Sequence, residues 1–214
     1  DLNGDGRIER GQSELDPRDL SIIGNSQPRY QFGGNMDMSW KGFDMSLFIQ
    51  GIGRQDFYPR HYLFWGPYQQ PYANIYPWNL DFFRAEADSE AMRARHSQAY
   101  LDAGLADANL NSTYPVLQAW LADANYGSGL DIPQTQYLLS AAYLRIKNLA
   151  VGYTLPMEVT RKIRASRVRV FITGENLFEF SAIKNFIDPE AVNAGFARAY
   201  PFQRRYSAGL NIDL

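Results

Sequence analysis

The stretch Arg29-Tyr-Gln-Phe-Gly-Gly-Asn-Met-Asp-Met-Ser-Trp-Lys41 decides the fold class. Its even positions are Tyr30, Phe32, Gly34, Met36, Met38 and Trp40, and its odd positions are Arg29, Gln31, Gly33, Asn35, Asp37, Ser39 and Lys41. Successive side chains of a strand point to opposite faces, so this segment reads as a strand with one apolar and one polar face. Beyond a tight Lys41-Gly42 turn, Phe43, Met45, Leu47 and Ile49 alternate with Asp44, Ser46, Phe48 and Gln50, with Phe48 alone out of pattern. Residues 28–53 therefore predict a β-hairpin.

Three further strands are expected within 142–214. In Tyr143 to Leu155, Leu144 and Ile146 share one parity while Leu149, Val151, Tyr153 and Leu155 share the other. That slip near Lys147-Asn148 predicts a β-bulge, whose extra residue restores the facing. Val168, Val170 and Ile172 alternate with Arg167, Arg169, Phe171, Thr173 and Glu175, and Tyr206, Ala208, Leu210, Ile212 and Leu214 alternate with Ser207, Gly209, Asn211 and Asp213.

Alternation alone fits a soluble antiparallel sheet as well as a membrane barrel. Connection lengths separate the two. Short links, at Lys41-Gly42 and Pro156 to Ser166, alternate with long ones, about Arg54 to Ala141 and Ser181 to Pro201. Outer-membrane barrels have this asymmetry of short periplasmic turns and long extracellular loops, and a structureless insertion of such length is unusual in a compact soluble domain. The expected architecture is thus all-β: strands of a large transmembrane antiparallel barrel, with long extracellular loops that contain short helices. Residues 1–27 form one extracellular loop, 28–53 a barrel hairpin, 54–141 a long extracellular loop and 142–214 three last barrel strands. Five strands cannot close such a barrel, which needs at least about eight, so the remainder is expected upstream.

Composition agrees. Aromatics make up 14% of the 214 residues, which suits a membrane interface, and the absence of cysteine excludes disulfide and thiol chemistry. A net charge of -2 gives no reason to expect nucleic-acid binding. No apolar run reaches the length of a transmembrane helix, whereas a transmembrane strand needs only about 9–11 residues. The chain begins at Asp1 with no initiator Met and no signal peptide, and so reads as a mature or truncated piece.

The order of motifs resembles the C-terminal end of the SusC/RagA family of TonB-linked outer-membrane proteins. The pieces are Asp1-Leu-Asn-Gly-Asp-Gly-Arg-Ile8, Ile22-Ile-Gly-Asn25, Pro28-Arg-Tyr30, Trp40-Lys-Gly-Phe-Asp44 and Phe48-Ile-Gln-Gly51. Then follow Tyr143-Leu-Arg-Ile-Lys-Asn-Leu149, Gly152-Tyr-Thr-Leu-Pro156, Gly174-Glu-Asn-Leu-Phe178, Asp188-Pro-Glu190 and Tyr200-Pro201. The resemblance implies a single-chain barrel of about 22 strands around a plug. It implies the outer membrane of a Gram-negative, Bacteroidetes-like bacterium, with lipid against the barrel. It also implies a SusD-like surface lipoprotein as partner, the TonB complex acting through an N-terminal plug, and an oligosaccharide or oligopeptide cargo. Two departures stand out: Leu214 ends the chain where the family has Phe, and extra residues precede Ile22.

Asp1, Asn3 and Asp5 with Gly6 fit the first half of the D-x-[DN]-x-[DN]-G calcium loop. Hard Ca²⁺ takes six to eight oxygens, and alternate side chains around a Gly turn can converge on one ion. Arg7 would give its carbonyl. The twelfth position is Gln12, which has no carboxylate, so Glu9, Glu14, Asp16 or Asp19 must replace it; the family pattern points to Asp19.

The 54–141 loop opens with an aromatic cluster that includes Trp65, Tyr68, Tyr72, Tyr76 and Trp78. Aromatic faces suit cargo or partner contact, and equally a small core of the loop itself. Ser89 to Ala103 is expected to be helical, capped at Asp88 or Ser89, and Thr113 to Ala124 to be a second short helix. Arg29, Asp37, Lys41, Asp44, Arg145, Arg167, Arg169, Glu175 and Asp213 lie on polar strand faces and would line a lumen. An enzyme is not expected: His61 and His96 lack metal-ligand spacing, no nucleophile elbow or phosphate loop is present, and Asp188 and Glu190 read as solvated loop carboxylates. A second reading is a soluble, calcium-stabilised β-rich module that binds carbohydrate or protein. It predicts the same strands, but a folded monomer in plain buffer.

Overall fold

The computed structural model describes residues 1–123, 129–192 and 202–214. Strands β1 (Arg10–Ser13) and β2 (Asp16–Arg18) form a small hairpin. Strands β3 (Gln31–Trp40) and β4 (Phe43–Ile52) follow. The long loop holds β5 (Asp56–Phe57), α1 (Tyr62–Trp65), α2 (Glu90–Arg93), α3 (Gln98–Asp102) and β6 (Leu139–Ser140). Then come β7 (Tyr143–Thr154), α4 (Met157–Thr160), β8 (Arg167–Ser181) and β9 (Arg205–Asp213). The main sheet is antiparallel in the order β3-β4-β7-β8-β9, so each strand pairs with its sequence neighbour in the sheet.

Register follows from turn chemistry. Lys41 and Gly42 both have positive φ, 47° and 88°, the requirement of a two-residue I′ hairpin turn. Trp40 thereby pairs with Phe43 and Met36 with Leu47. The bulge sits at Lys147: Ile146 pairs with Ile49 and Asn148 with Phe48, leaving Lys147 without a partner on β4. On the other side, Ile146 faces Phe178 and Asn148 faces Glu175, so one β7 residue opposes two on β8. Asn176 takes the left-handed conformation at φ 52°, and Leu177 folds over Gly174, where a Cβ would collide with its side chain. This is the physical content of the Gly174-Glu-Asn-Leu-Phe178 motif.

The bulges bring most large apolar residues of the sheet to one face, with Phe48 and Phe171 among those on the other. Directly opposed rows run Met36, Leu47, Leu149, Gly174, Tyr206, then Met38, Met45, Val151, Ile172, Ala208, then Trp40, Phe43, Tyr153, Val170, Leu210. No described residue covers this face: Trp40 is 66% and Ile172 61% exposed. From Phe32 to Trp40 it extends about 27 Å along the strand at roughly 3.4 Å per residue, the scale of an outer-membrane apolar band. No helix among the described residues is long and apolar enough to cross a membrane, which says nothing about crossing by strands.

The opposite face carries the polar rows, including Asp37, Ser46, Ala150, Thr173 and Ser207. Arg169 reaches from β8 across β7 to Asp44 on β4, donating its Nε–H at 2.8 Å and pairing through Nη2 as well. It passes over Gly152, whose missing side chain makes room: a Cβ there would lie inside the guanidinium. Gly152→Val is therefore expected to displace Arg169 and lower stability slightly, because the lost pair is screened by solvent. Denaturant midpoints of the full-length protein measure it. Asp44→Asn should add almost nothing in the Gly152→Val background, and full additivity would refute the coupling.

The helical expectations need correction. Ser89 to Ala103 is not one helix but α2 and α3, with Ser97 capping the second by accepting from the Tyr100 N–H at 3.3 Å. Between them Arg93 is drawn to Asp107 and the Ala106 carbonyl, and the His96 ring to Asp88 at 2.8 Å. The chain from Thr113 to Asp123 is not helical, and Ala124 lies outside the described residues. Asp81 holds the Thr113 N–H at 3.0 Å and Tyr114 bridges to Phe82, so tertiary contacts outweigh the local pattern. Tyr200 and Pro201 also lie outside the described residues.

Candidate functional site

Three regions hold the residues singled out from the sequence: the acidic turn, the aromatic loop and the polar sheet face.

In the acidic turn, Asp1 accepts from the N–H groups of Gly4 (2.7 Å), Asp5 (3.2 Å) and Gly6 (2.8 Å). Asp5 accepts from the Arg7 N–H at 2.9 Å and from the Asn3 side chain at 3.0 Å. Asp19 reaches back to accept from Leu2 at 2.6 Å and Glu9 at 2.7 Å, one oxygen to each. The β1–β2 hairpin, which alternation did not reveal, is what returns Asp19 to the start of the chain, with Arg18 paired to Glu9 across it. Asp1 and Asp19 thus tie the start of the chain to the hairpin through backbone N–H bonds. The turn's carboxylates are occupied by amides, and no group of three His, Asp or Glu side chains converges as a metal set among the described residues.

The aromatic loop divides in two. Trp65 and Tyr68 are 0% exposed and sit in a core with Phe64, Tyr114, Ala122, Leu130 and Tyr137, so they cannot contact cargo or partner as expected above. Trp65 stacks edge-on to Phe64 and Tyr137, each at 5.0 Å, while Tyr68 stacks on Tyr114 at 5.7 Å. Their polar tips are satisfied inside: the Trp65 Nε1–H donates to the Pro59 carbonyl at 2.8 Å and the Tyr68 hydroxyl to the Pro115 carbonyl at 3.0 Å. Burial pushes the Tyr58, Tyr68 and Tyr114 hydroxyls well above the usual range, which keeps them donors. At the loop's margin, hydrogen bonds from Thr113 and Asn109 hold the Asp81 carboxyl below its ordinary value. Tyr72, in contrast, is 77% exposed. Tyr76 and Trp78 are half-buried and stack in parallel at 4.8 Å, and the Trp78 Nε1–H donates to the Phe64 carbonyl at 2.9 Å. Phe186, from the loop after β8, packs edge-on against Trp78 at 4.9 Å and Phe64 at 5.5 Å. The two long loops therefore share one core.

On the polar sheet face, Arg145 is 2% exposed. Its guanidinium donates to Asp188 at 2.7 Å, to Glu190 at 3.0 Å and to Glu179. Lys147 adds bonds to Glu190 at 3.1 and 3.0 Å. Asp188 and Glu190 are thus not solvated loop carboxylates. Pro189 starts a single 3-10 turn capped by Asp188, which turns both acids toward Arg145. Alternation does not reveal Glu179, because β8 runs six residues past Glu175, where the legible pattern stops, to Ser181; the bulge at Asn176 hides its phase. Arg29, Asp37, Lys41, Arg167 and Asp213 stand outside this cluster, and Glu175 has only a 3.9 Å pair with Arg205.

No protein-family model matches the chain. It is 26% identical over 223 residues to TonB-dependent receptor P3 of Formosa agariphila, covering 94% of this chain and 18% of the relative. It is 25% identical to TonB-dependent receptor P26 of the same organism, covering 99% of this chain and 19% of that protein. The chain thus spans about a fifth of the length of the curated relatives it matches. A solved structure of the RagAB peptide transporter superposes with a TM-score of 0.56 and 22% identity, over 89% of this chain and 18% of that one. That likeness concerns the fold alone.

Proposed function

We propose that this chain is a segment of a SusC/RagA-like TonB-dependent receptor and forms part of the barrel wall and outer loops of an importer in the Gram-negative outer membrane, a reading its similarity to two TonB-dependent receptors supports. The observation that carries this reading is the two-faced sheet. Its exposed apolar rows from Phe32 to Leu210 suit lipid, and its other face holds charges that only a wet or plugged lumen tolerates. A soluble module would have to hide that apolar face, and nothing among the described residues covers it. The cargo would be an oligopeptide or oligosaccharide, moved with energy from the TonB complex acting through a plug outside this segment. A SusD-like lipoprotein would dock on the 54–141 loop, where Tyr72, Tyr76 and Trp78 supply accessible aromatic surface.

The full-length protein is expected to fractionate with the outer membrane, to need detergent, and to migrate faster on gels before boiling than after. Growth on the transported nutrient should require TonB. A folded protein in plain buffer, or uptake unaffected by loss of TonB, would contradict the reading.

Calcium belongs to the same proposal. Asp1, Asn3, Asp5 and Asp19 would give side-chain oxygens and Arg7 its carbonyl, and the ion would stiffen the first loop. Support comes from Asp19, which the hairpin already holds against Leu2 and Glu9. Calcium titration of the intact protein should show saturable binding that Asp5→Ala abolishes. Identical titrations of the two proteins would end this part of the proposal.

A further inference from the structure

We propose that the polar face carries a carboxylate-binding pocket between the end of β8, the loop after it and the entry to β9; its placement inside a lumen rests on the importer reading above. The pocket encloses about 390 Å³. Its floor is the Arg145 cluster, in which two cations, Arg145 and Lys147, already satisfy three carboxylates, Glu179, Asp188 and Glu190. Those acids are spent and cannot attract a further cation strongly. Phe202 closes one side by lying over both Arg145 and Lys147, each 4.9 Å from its ring centre.

What remains unspent is cationic. Lys184 and Arg204 line the pocket, and neither has an ion-pair partner among the described residues. They turn the single excess negative charge of the cluster into a single excess positive one. The Asn176 side-chain oxygen lies buried behind the pocket wall with no hydrogen-bond partner among the described residues, while its amide donates to the Gln203 carbonyl at 3.3 Å. It is closed to a ligand, so the cations set the chemistry. Their complement is a carboxylate, which a peptide C-terminus supplies as its α-carboxylate and a uronic acid as its ring carboxylate.

Equilibrium binding to the purified full-length protein in detergent tests the pocket. The probes are a tetrapeptide with a free C-terminus, its C-terminal amide, an oligouronate and its methyl ester. One free-acid probe is expected to bind at least about tenfold tighter than its neutral counterpart, the worth of one charge-assisted bond. Which acid shows the preference identifies the source. The double variant Lys184→Gln/Arg204→Gln should erase the preference. Both side chains are exposed and have no ion-pair partner among the described residues, so folding should survive, as unboiled gel migration would confirm. No preference for either acid, or a preference that survives the double variant, overturns the pocket. Binding in detergent needs no energised transport, so this test and the TonB-dependence test can fail separately.

Discussion

Replacing Arg145 with methionine is expected to destabilise the full-length protein by about 3–5 kcal/mol, the cost of removing one side of a buried charge cluster. Without the guanidinium, Glu179, Asp188 and Glu190 remain crowded at a site 11–18% exposed, with Lys147 the one cation still ion-paired to them among the described residues. Urea midpoints in detergent measure the loss. Arg145→Lys should recover only part of it, because one ammonium cannot reproduce a planar fork that bonds three acids at once. Neutralising the acids in the methionine background, as Glu179→Gln, Asp188→Asn and Glu190→Gln, should recover more than lysine does. A midpoint for Arg145→Met equal to wild type would show that the cluster is not a structural element.

The consequence is not confined to the sheet. Asp188 and Glu190 flank the turn that places Ile187 and Ala191 in a small core with Ala141 and Ile183. That core is continuous with the aromatic loop through Phe186. The Arg145 ion cluster thus fixes the second long loop to the sheet, and the second loop braces the first. Loss of Arg145 should expose the 181–192 segment to protease before the strands themselves open, since loops lie at the low end of local stability.

How much of this was legible in the sequence depended on whether the signal was periodic. The strands, the Lys41-Gly42 turn and the Lys147 bulge all came from side-chain parity, because one buried or lipid-facing side imposes it. The β1–β2 hairpin was not legible: its strands span four and three residues and bury no continuous face. Helices were over-read. The Ala-rich stretch from Ser89 has helical propensity, but Arg93 and His96 find better partners off the helix than within it, and propensity is a weak prior against such contacts. Within the candidate site, Arg145 could be placed on a polar face from parity, whereas its partners 34 to 45 residues away could not. Asp188 and Glu190 left a trace in the intervening proline. Lys184 and Arg204 left none, since what marks them is the absence of a partner in three dimensions.

Trp65→Ala should have the second large effect, about 3–5 kcal/mol for an aromatic core residue, but on the loop rather than on the wall. Trp65 lies at the centre of the loop's own core, within 6.4 Å of the rings of Tyr58, Phe64, Tyr68, Tyr114 and Tyr137. Removing it leaves a cavity among those rings and strips the Pro59 carbonyl of its donor. The ladder from β3 to β9 does not use Trp65, so heat-modifiable gel migration should persist while amide protection between residues 58 and 137 is lost. Tyr72→Ala is the matched control. Its ring is exposed, so protection should stay at the wild-type level, and any loss of lipoprotein binding would then report a contact rather than an unfolded loop. Wild-type protection in Trp65→Ala would mean that the loop is held by its two ends at β5 and β6 and not by its aromatic core. A collapse of the sheet together with the loop would mean that the two fold as one unit.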